Sequence, residues 1–181
     1  MKIEERVIKH KERELKEGDF IIYLMSRDQR VSDNICINYG LDLAKKYNKN
    51  FAILFILYPK FLNATLRQYD FMIKGLIKIQ RRLKDLNIPF FIRFGEPLRT
   101  ILDFIKEKRV CFLLTDFSPL KISKDLKKNL KDKIDISFYE IDTHNIIPPW
   151  ILSNKEERGA FTLRKKINRI LNEYLIEPDR V

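Results

Sequence analysis

Five times along this chain a short apolar run of β-forming residues gives way to a stretch with apolar residues at helical spacing. The runs are Phe20–Met25 (FIIYLM), Phe51–Leu57 (FAILFIL), Pro89–Arg93, Val110–Thr115 (VCFLLT) and Ile136–Ile141. Unbroken apolar character over so few residues marks strands buried on both faces. After the first run, Ile35, Tyr39, Leu43 and Tyr47 fall on one helical face, with Asp33 as the expected N-cap. From Thr65 to Asn87 the stripe is Tyr69, Met72, Leu76, Ile79, Leu83 and Leu86. Pro97 opens a third helix on Leu98, Ile101, Leu102 and Ile105, and Ser123 is the expected cap of a fourth carrying Leu126 and Leu130. Connections are short and no hairpin signal separates the strands, so they must run parallel with helices between them. The expected fold is α/β: a Rossmann-like five-stranded parallel sheet with helices on both faces.

Residues 1–150 make up this α/β domain, and 151–181 read differently. A proline-containing loop covers 142–150, and Ser153 with Glu156 forms a capping box. A helical region then runs to Ile176, broken at Gly159 and ended by Glu177-Pro178. Phe161, Ile167, Ile170, Leu171 and Tyr174 give it an apolar face after the sheet is already complete. That face either folds back on the sheet or begins a linker to another domain.

The chain has 181 residues with a formal charge of +11, enough for one domain with a real core. No apolar run approaches the roughly 20 residues that cross a bilayer, so no membrane partner is expected. The opening MKIEERVIKHKEREL is charged throughout and lacks the apolar core of a secretory signal. Cys36 and Cys111 sit far apart in apolar surroundings, as small buried hydrophobes of a reducing, cytoplasmic protein. The positive charge suits nucleic acid, yet lysine is spread over every expected helix beside Glu and Asp. Its densest stretch, Lys121 to Lys133, has the pattern of one solvated helix face.

Ligands of open α/β sheets bind beyond the carboxyl ends of the strands, so the loops there hold the candidate residues. Ser26-Arg27-Asp28-Gln29-Arg30 and Asp33 precede a helix start and suit either an anion or a self-paired Arg/Asp cluster. Asp116-Phe117-Ser118-Pro119 offers a ring, a carboxylate and a hydroxyl to a flat heterocycle, or an Asx turn with Phe117 in the core. His144, beside Asp142 and Asn145, fits a turn-stabilising role. Neither HxxH nor CxxC occurs, nor G-x-G-x-x-G, a P-loop or G-x-S-x-G. No metal ligand set and no catalytic side chain is therefore expected.

Taken together, MSRDQR with Asp33-Asn34, FLNATLRQYDFMIKGL, Phe94-Gly95-Glu96-Pro97, DFSPL and DTHNIIPPW resemble class II cyclobutane-dimer photolyases, in order and spacing, over residues 15 to 176. Leu24 and Ile35 depart from the pattern, where relatives often carry Trp. The resemblance implies light-dependent DNA repair by reduced FAD, with FAD and damaged DNA held by a following all-helical domain that this chain lacks. It also implies an antenna chromophore, a deazaflavin or a folate, at the strand ends. On that reading Met25, Ser26, Arg27, Asp28, Phe61, Asp116 and Phe117 are the cofactor-binding candidates. Arg30, Asp33, Asp142, His144, Asn145 and Trp150 are the interdomain candidates. The expected partner is an FAD-binding helical domain or subunit, with damaged DNA reached indirectly. The alternatives are a stand-alone nucleotide- or flavin-binding module and a degenerate remnant without repair activity. Alanine at Asp116 and Phe117 is expected to abolish chromophore uptake and leave the fold intact.

Overall fold

The computed structural model describes residues 3–155, 157 and 159–177. Glu156 and Pro178, expected to complete a capping box and to end the last helix, lie outside them.

Six strands form one sheet: β1 (Val7–Lys11), β2 (Phe20–Met25), β3 (Asn50–Leu57), β4 (Phe90–Phe94), β5 (Val110–Asp116) and β6 (Ser137–Ile141). Their spatial order is β1-β6-β5-β2-β3-β4. β2 to β6 are the five expected parallel strands, each within a residue or two of its expected bounds. The five-strand count is corrected by β1, which pairs antiparallel with β6 (Val7↔Ile141, Ile8↔Glu140) after a 3-10 turn at Ile3–Arg6. As VIKHK it carries two apolar residues followed by three basic ones, and so shows no apolar run.

Helices α1 (Ile35–Tyr47) and α2 (Leu66–Asp85) cover one face, where Leu43, Leu76, Ile79 and Leu83 meet Ile21, Tyr23 and Phe55. α3 (Pro97–Glu107) and α4 (Lys121–Lys133) cover the other, where Ile101, Phe104 and Leu130 meet Ile22, Leu54 and Phe138. Gly40 lets α1 lie close to the sheet, since a Cβ there would meet the Phe51 ring at 2.2 Å.

Two expected caps shift. Asn34, not Asp33, caps α1: its side chain accepts from the N–H groups of Cys36 (3.1 Å) and Ile37 (3.2 Å). Asp33 instead takes a left-handed conformation, φ 55°, that turns it out of the cap. α4 starts at Lys121, so Ser123 lies inside its first turn and Leu120, extended, holds the cap position. Thr65 and Gln68 form the capping box of α2, and Glu96 accepts from Leu98 and Arg99 to cap α3. α5 (Pro149–Leu152) spans the expected boundary at residue 150, and α6 (Ala160–Tyr174) follows from Gly159.

Candidate functional site at the strand ends

From β2 the chain winds outward through β3 and β4, then returns to place β5 on the other side of β2. This reversal opens a crevice at the carboxyl ends of β2 and β5. A cavity of about 400 Å³ lies there, running over the crest of the sheet. On one side Phe55, Phe61, Tyr69 and Met72 wall it; on the other Leu120, Leu126, Lys127 and Leu130 do. Leu24, Met25, Ile56 and Thr115 form its floor, with Ser26, Arg27 and Asp116 at the strand ends. Mostly apolar walls with a few convergent polar groups have the character of a small-molecule site.

Asp116 organises the crest. Its Oδ1 accepts from Ser26 Oγ at 2.6 Å. Its Oδ2 accepts from the backbone N–H groups of Arg27 (2.9 Å) and Asp28 (2.7 Å), and from Ser26 N and Tyr23 Oη at 3.2 Å. Burial pushes its pKa up, and these bonds with Asp28 and Ser26 oppose the rise. The same burial, with Asp116 beside it, raises the Tyr23 hydroxyl and the Cys36 thiol well above their usual ranges. Both stay protonated, and neither is a nucleophile at neutral pH.

Five of the seven cofactor-binding candidates line the cavity: Met25, Ser26, Arg27, Phe61 and Asp116. Asp28 is buried beneath the loop instead. Its carboxylate accepts from Thr143 Oγ1, from Arg30 at 2.8 Å and from His144 Nδ1 at 2.9 Å. Phe117 does not line the wall; it packs edge-on against Trp150 with ring centroids 5.3 Å apart. Alanine at Asp116 would strip an acceptor from three backbone N–H groups, so it would disturb the fold as well as the cavity, contrary to the sequence expectation.

The interdomain candidates gather next to the cavity rather than in it. Arg30 ties the first loop to the last, donating to the carbonyls of Asp33 (2.7 Å) and Thr143 (2.6 Å). The Asp33 side chain is exposed, with one oxygen 3.9 Å from Arg30. Asp142 is fully buried and accepts from the N–H groups of His144 and Asn145 and from the Asn145 side chain. Trp150 donates to the Glu5 carbonyl at 2.8 Å. Arg6, buried, donates to the carbonyls of Asn145 and Ile146 and lies 5.9 Å from the Tyr174 ring.

Sequence reading missed the wall that α4 supplies. Lys127 belongs to the stretch expected to be a solvated face, yet it is buried, ion-paired with Glu140 and donating to the Ser118 carbonyl at 3.3 Å. His10 Nε2 holds the other Glu140 oxygen at 2.6 Å. Burial works to raise the Glu140 pKa, but its bonds to His10 and Lys127 win and hold it below the usual range. A lysine one position after Leu126 on a helix with an apolar stripe was the available signal. Tyr69 and Met72 were likewise on the expected stripe and Gln68 stood just before it, with nothing to place them at the crest.

Among the described residues no helix is long and apolar enough to cross a membrane, and no cluster of His, Cys, Asp or Glu is arranged to hold a metal.

The sequence model described as DNA photolyase matches residues 21–181. A deoxyribodipyrimidine photo-lyase of Arabidopsis thaliana is 40% identical over 159 residues, which is 87% of this chain and 32% of that protein. That of Potorous tridactylus is 39% identical over 158 residues, 86% of this chain and 30% of its own length. The chain thus spans about a third of the curated relatives it matches. Among solved structures, a Synechocystis cryptochrome superposes with a TM-score of 0.72 at 15% identity, over 90% of this chain and 36% of its own. A photolyase of Sulfolobus tokodaii, described with two FAD molecules and an implied novel light-harvesting cofactor, superposes at 0.63 and 18% identity over 88% of this chain and 36% of its own. At these identities the structures establish a shared fold, and the family match over residues 21–181 settles the rest: this chain belongs to the DNA photolyase family.

Proposed function

We propose that this chain is the antenna-binding α/β part of a class II cyclobutane pyrimidine dimer photolyase. It takes up a flat chromophore at the strand ends and docks an FAD-binding helical domain, either joined to it or on a separate polypeptide. The observation that carries this reading is the cavity of about 400 Å³ at the reversal of strand order, walled by residues of this chain. Two further facts support it. The chain matches only about a third of relatives whose names assign them photolyase activity. The MSRDQR and DTHNIIPPW segments, on which the class II resemblance rests, interlock through Arg30, Asp28, Thr143 and His144.

The chain's own residues suit a deazaflavin or a folate ring. Phe61, Tyr69, Met72 and Leu126 offer faces to stack on and exclude water, while Arg27, Gln68 and Ser123 offer hydrogen bonds at the rim. An antenna so held absorbs light and passes excitation energy to FAD. Catalysis by side chains of this chain plays no part, and damaged DNA is met through the helical domain.

The test is reconstitution. Purified chain is incubated with a deazaflavin or a folate, then mixed with the FAD-binding half, and light-dependent dimer splitting is followed. Uptake that gives a near-ultraviolet or blue band, and a rise in repair per absorbed photon, supports the reading. Failure to take up either chromophore, with no effect on repair, would leave a family fold without the antenna role.

A further inference from the structure

α2 presents a cationic ridge to solvent on the side away from the sheet. Arg67, Lys74, Lys78 and Arg81 stand at i, i+7, i+11 and i+14, hence on one face of a helix with 3.6 residues per turn. All four are exposed, and Arg82, also exposed, extends the face. At about 1.5 Å per residue the ridge is about 21 Å long. Only Lys74 has a carboxylate partner among the described residues, Asp70 at 2.6 Å. Asp85, at the carboxyl end, is the other acid of the helix. Beside the ridge, one turn from each of Arg67 and Lys74, stands Phe71 with 81% of its surface in water. Neither the core nor the cavity uses it.

An exposed ring beside unpaired cations needs a partner that offers negative charge and a flat surface together. A second copy of this chain, at +11, would be repelled. Along about 21 Å a nucleic-acid strand places about six phosphates at the roughly 3.4 Å spacing of a duplex strand, and an unpaired base gives Phe71 a π-face to stack on. We infer that the outward face of α2 binds unpaired or locally opened nucleic acid, with Arg67, Lys78 and Arg81 on phosphates and Phe71 stacked on a base. This contact belongs to the α/β part itself and does not rest on the chromophore reading.

The experiment uses the full chain and a labelled thymidine oligonucleotide of about 16 nucleotides, followed by fluorescence anisotropy between about 50 and 200 mM salt. Combined Arg67→Gln, Lys78→Gln and Arg81→Gln should weaken binding at least tenfold and lower the slope of log affinity against log salt by about 2, at roughly 0.7 per phosphate. Phe71→Ala should cost fivefold or more and leave that slope unchanged, since stacking is uncharged. The matched control, Lys121→Gln, Lys124→Gln and Lys128→Gln on α4, removes equal charge elsewhere and should change little. All seven side chains except Phe71 are exposed polar groups whose loss spares the core, and circular dichroism checks each variant. The inference is overturned by absence of binding at the lowest salt or by equal losses from the α2 and α4 sets. It is also overturned if poly-glutamate displaces the oligonucleotide from the Phe71→Ala variant and the parent alike. Chromophore uptake by the same variants separates failure here from failure of the antenna reading.

Discussion

At the end of β5 the Asp116 carboxylate receives Tyr23, the Ser26 hydroxyl and the N–H groups of Ser26, Arg27 and Asp28. Asp116→Ala leaves buried donors without an acceptor and should cost about 3 kcal/mol or more in urea unfolding. Protonation has opposite consequences at two acids. Asp116, its pKa raised by burial, contributes stability that is full below its unfolded value of 3.8 and lost as pH rises through the higher folded value. Glu140, held low by His10 and Lys127 against its burial, contributes stability above its unfolded value of 4.5 that is lost as pH falls through the lower folded one. Glu140→Gln should therefore flatten the acid limb of the stability profile below pH 4.5, as denaturant titrations at stepped pH will show. Asp116 was legible in sequence as a carboxylate closing an apolar strand. Its donors were not, because they come from β2 and the loop after it, 88 to 93 residues away. Phe117 was misplaced because, one residue past the end of β5, its ring packs edge-on against Trp150 of α5, a partner that local sequence does not reveal.

Elements are tied together at the sheet's far edge. The turn before β1 contributes Arg6 and Glu5, which hold the loop after β6 and reach Trp150 and Tyr174. Arg6→Ala should destabilise by about 2 to 4 kcal/mol, since charged hydrogen bonds are worth about 1.5–3 each. It should also shift the emission of Trp150, the one tryptophan of the chain, to the red. Gly40→Ala should cost about 1 to 3 kcal/mol by overpacking α1 on Phe51, measured by thermal unfolding. The parallel strands and their helices could be read from periodicity, as FIIYLM and FAILFIL show. β1 could not, because an edge strand with three basic residues in five looks like a polar tail. The edge it seals had no sequence signature either, since Val7↔Ile141 pairing joins residues from opposite ends of the chain.

Across the whole molecule, the cavity draws walls from both layers, α2 from one and α4 from the other. A ligand there should stabilise the whole fold, by about 2.7 kcal/mol at 100 times its dissociation constant, read as a rise in Tm with added chromophore. Leu126→Trp, which fills the cavity from the α4 side, should remove that rise while the unliganded protein still melts cooperatively. Sequence predicts parallel strands but not which of them adjoin. That β5 returns beside β2 decides where the crevice opens, and it explains why Lys127 and Leu130 were not foreseen as wall residues.

The bond of 2.5 Å between Tyr174 Oη and Glu5 joins residues 169 positions apart. A molecule stretched from these two points meets that clasp first, before tension reaches the sheet. Once it opens, β1 is free to peel from β6 pair by pair, like a zip, while the parallel strands behind it stay in register. Pulled this way the fold should yield in two stages, a soft release of its edge at low force and a later, abrupt loss of the five-stranded body.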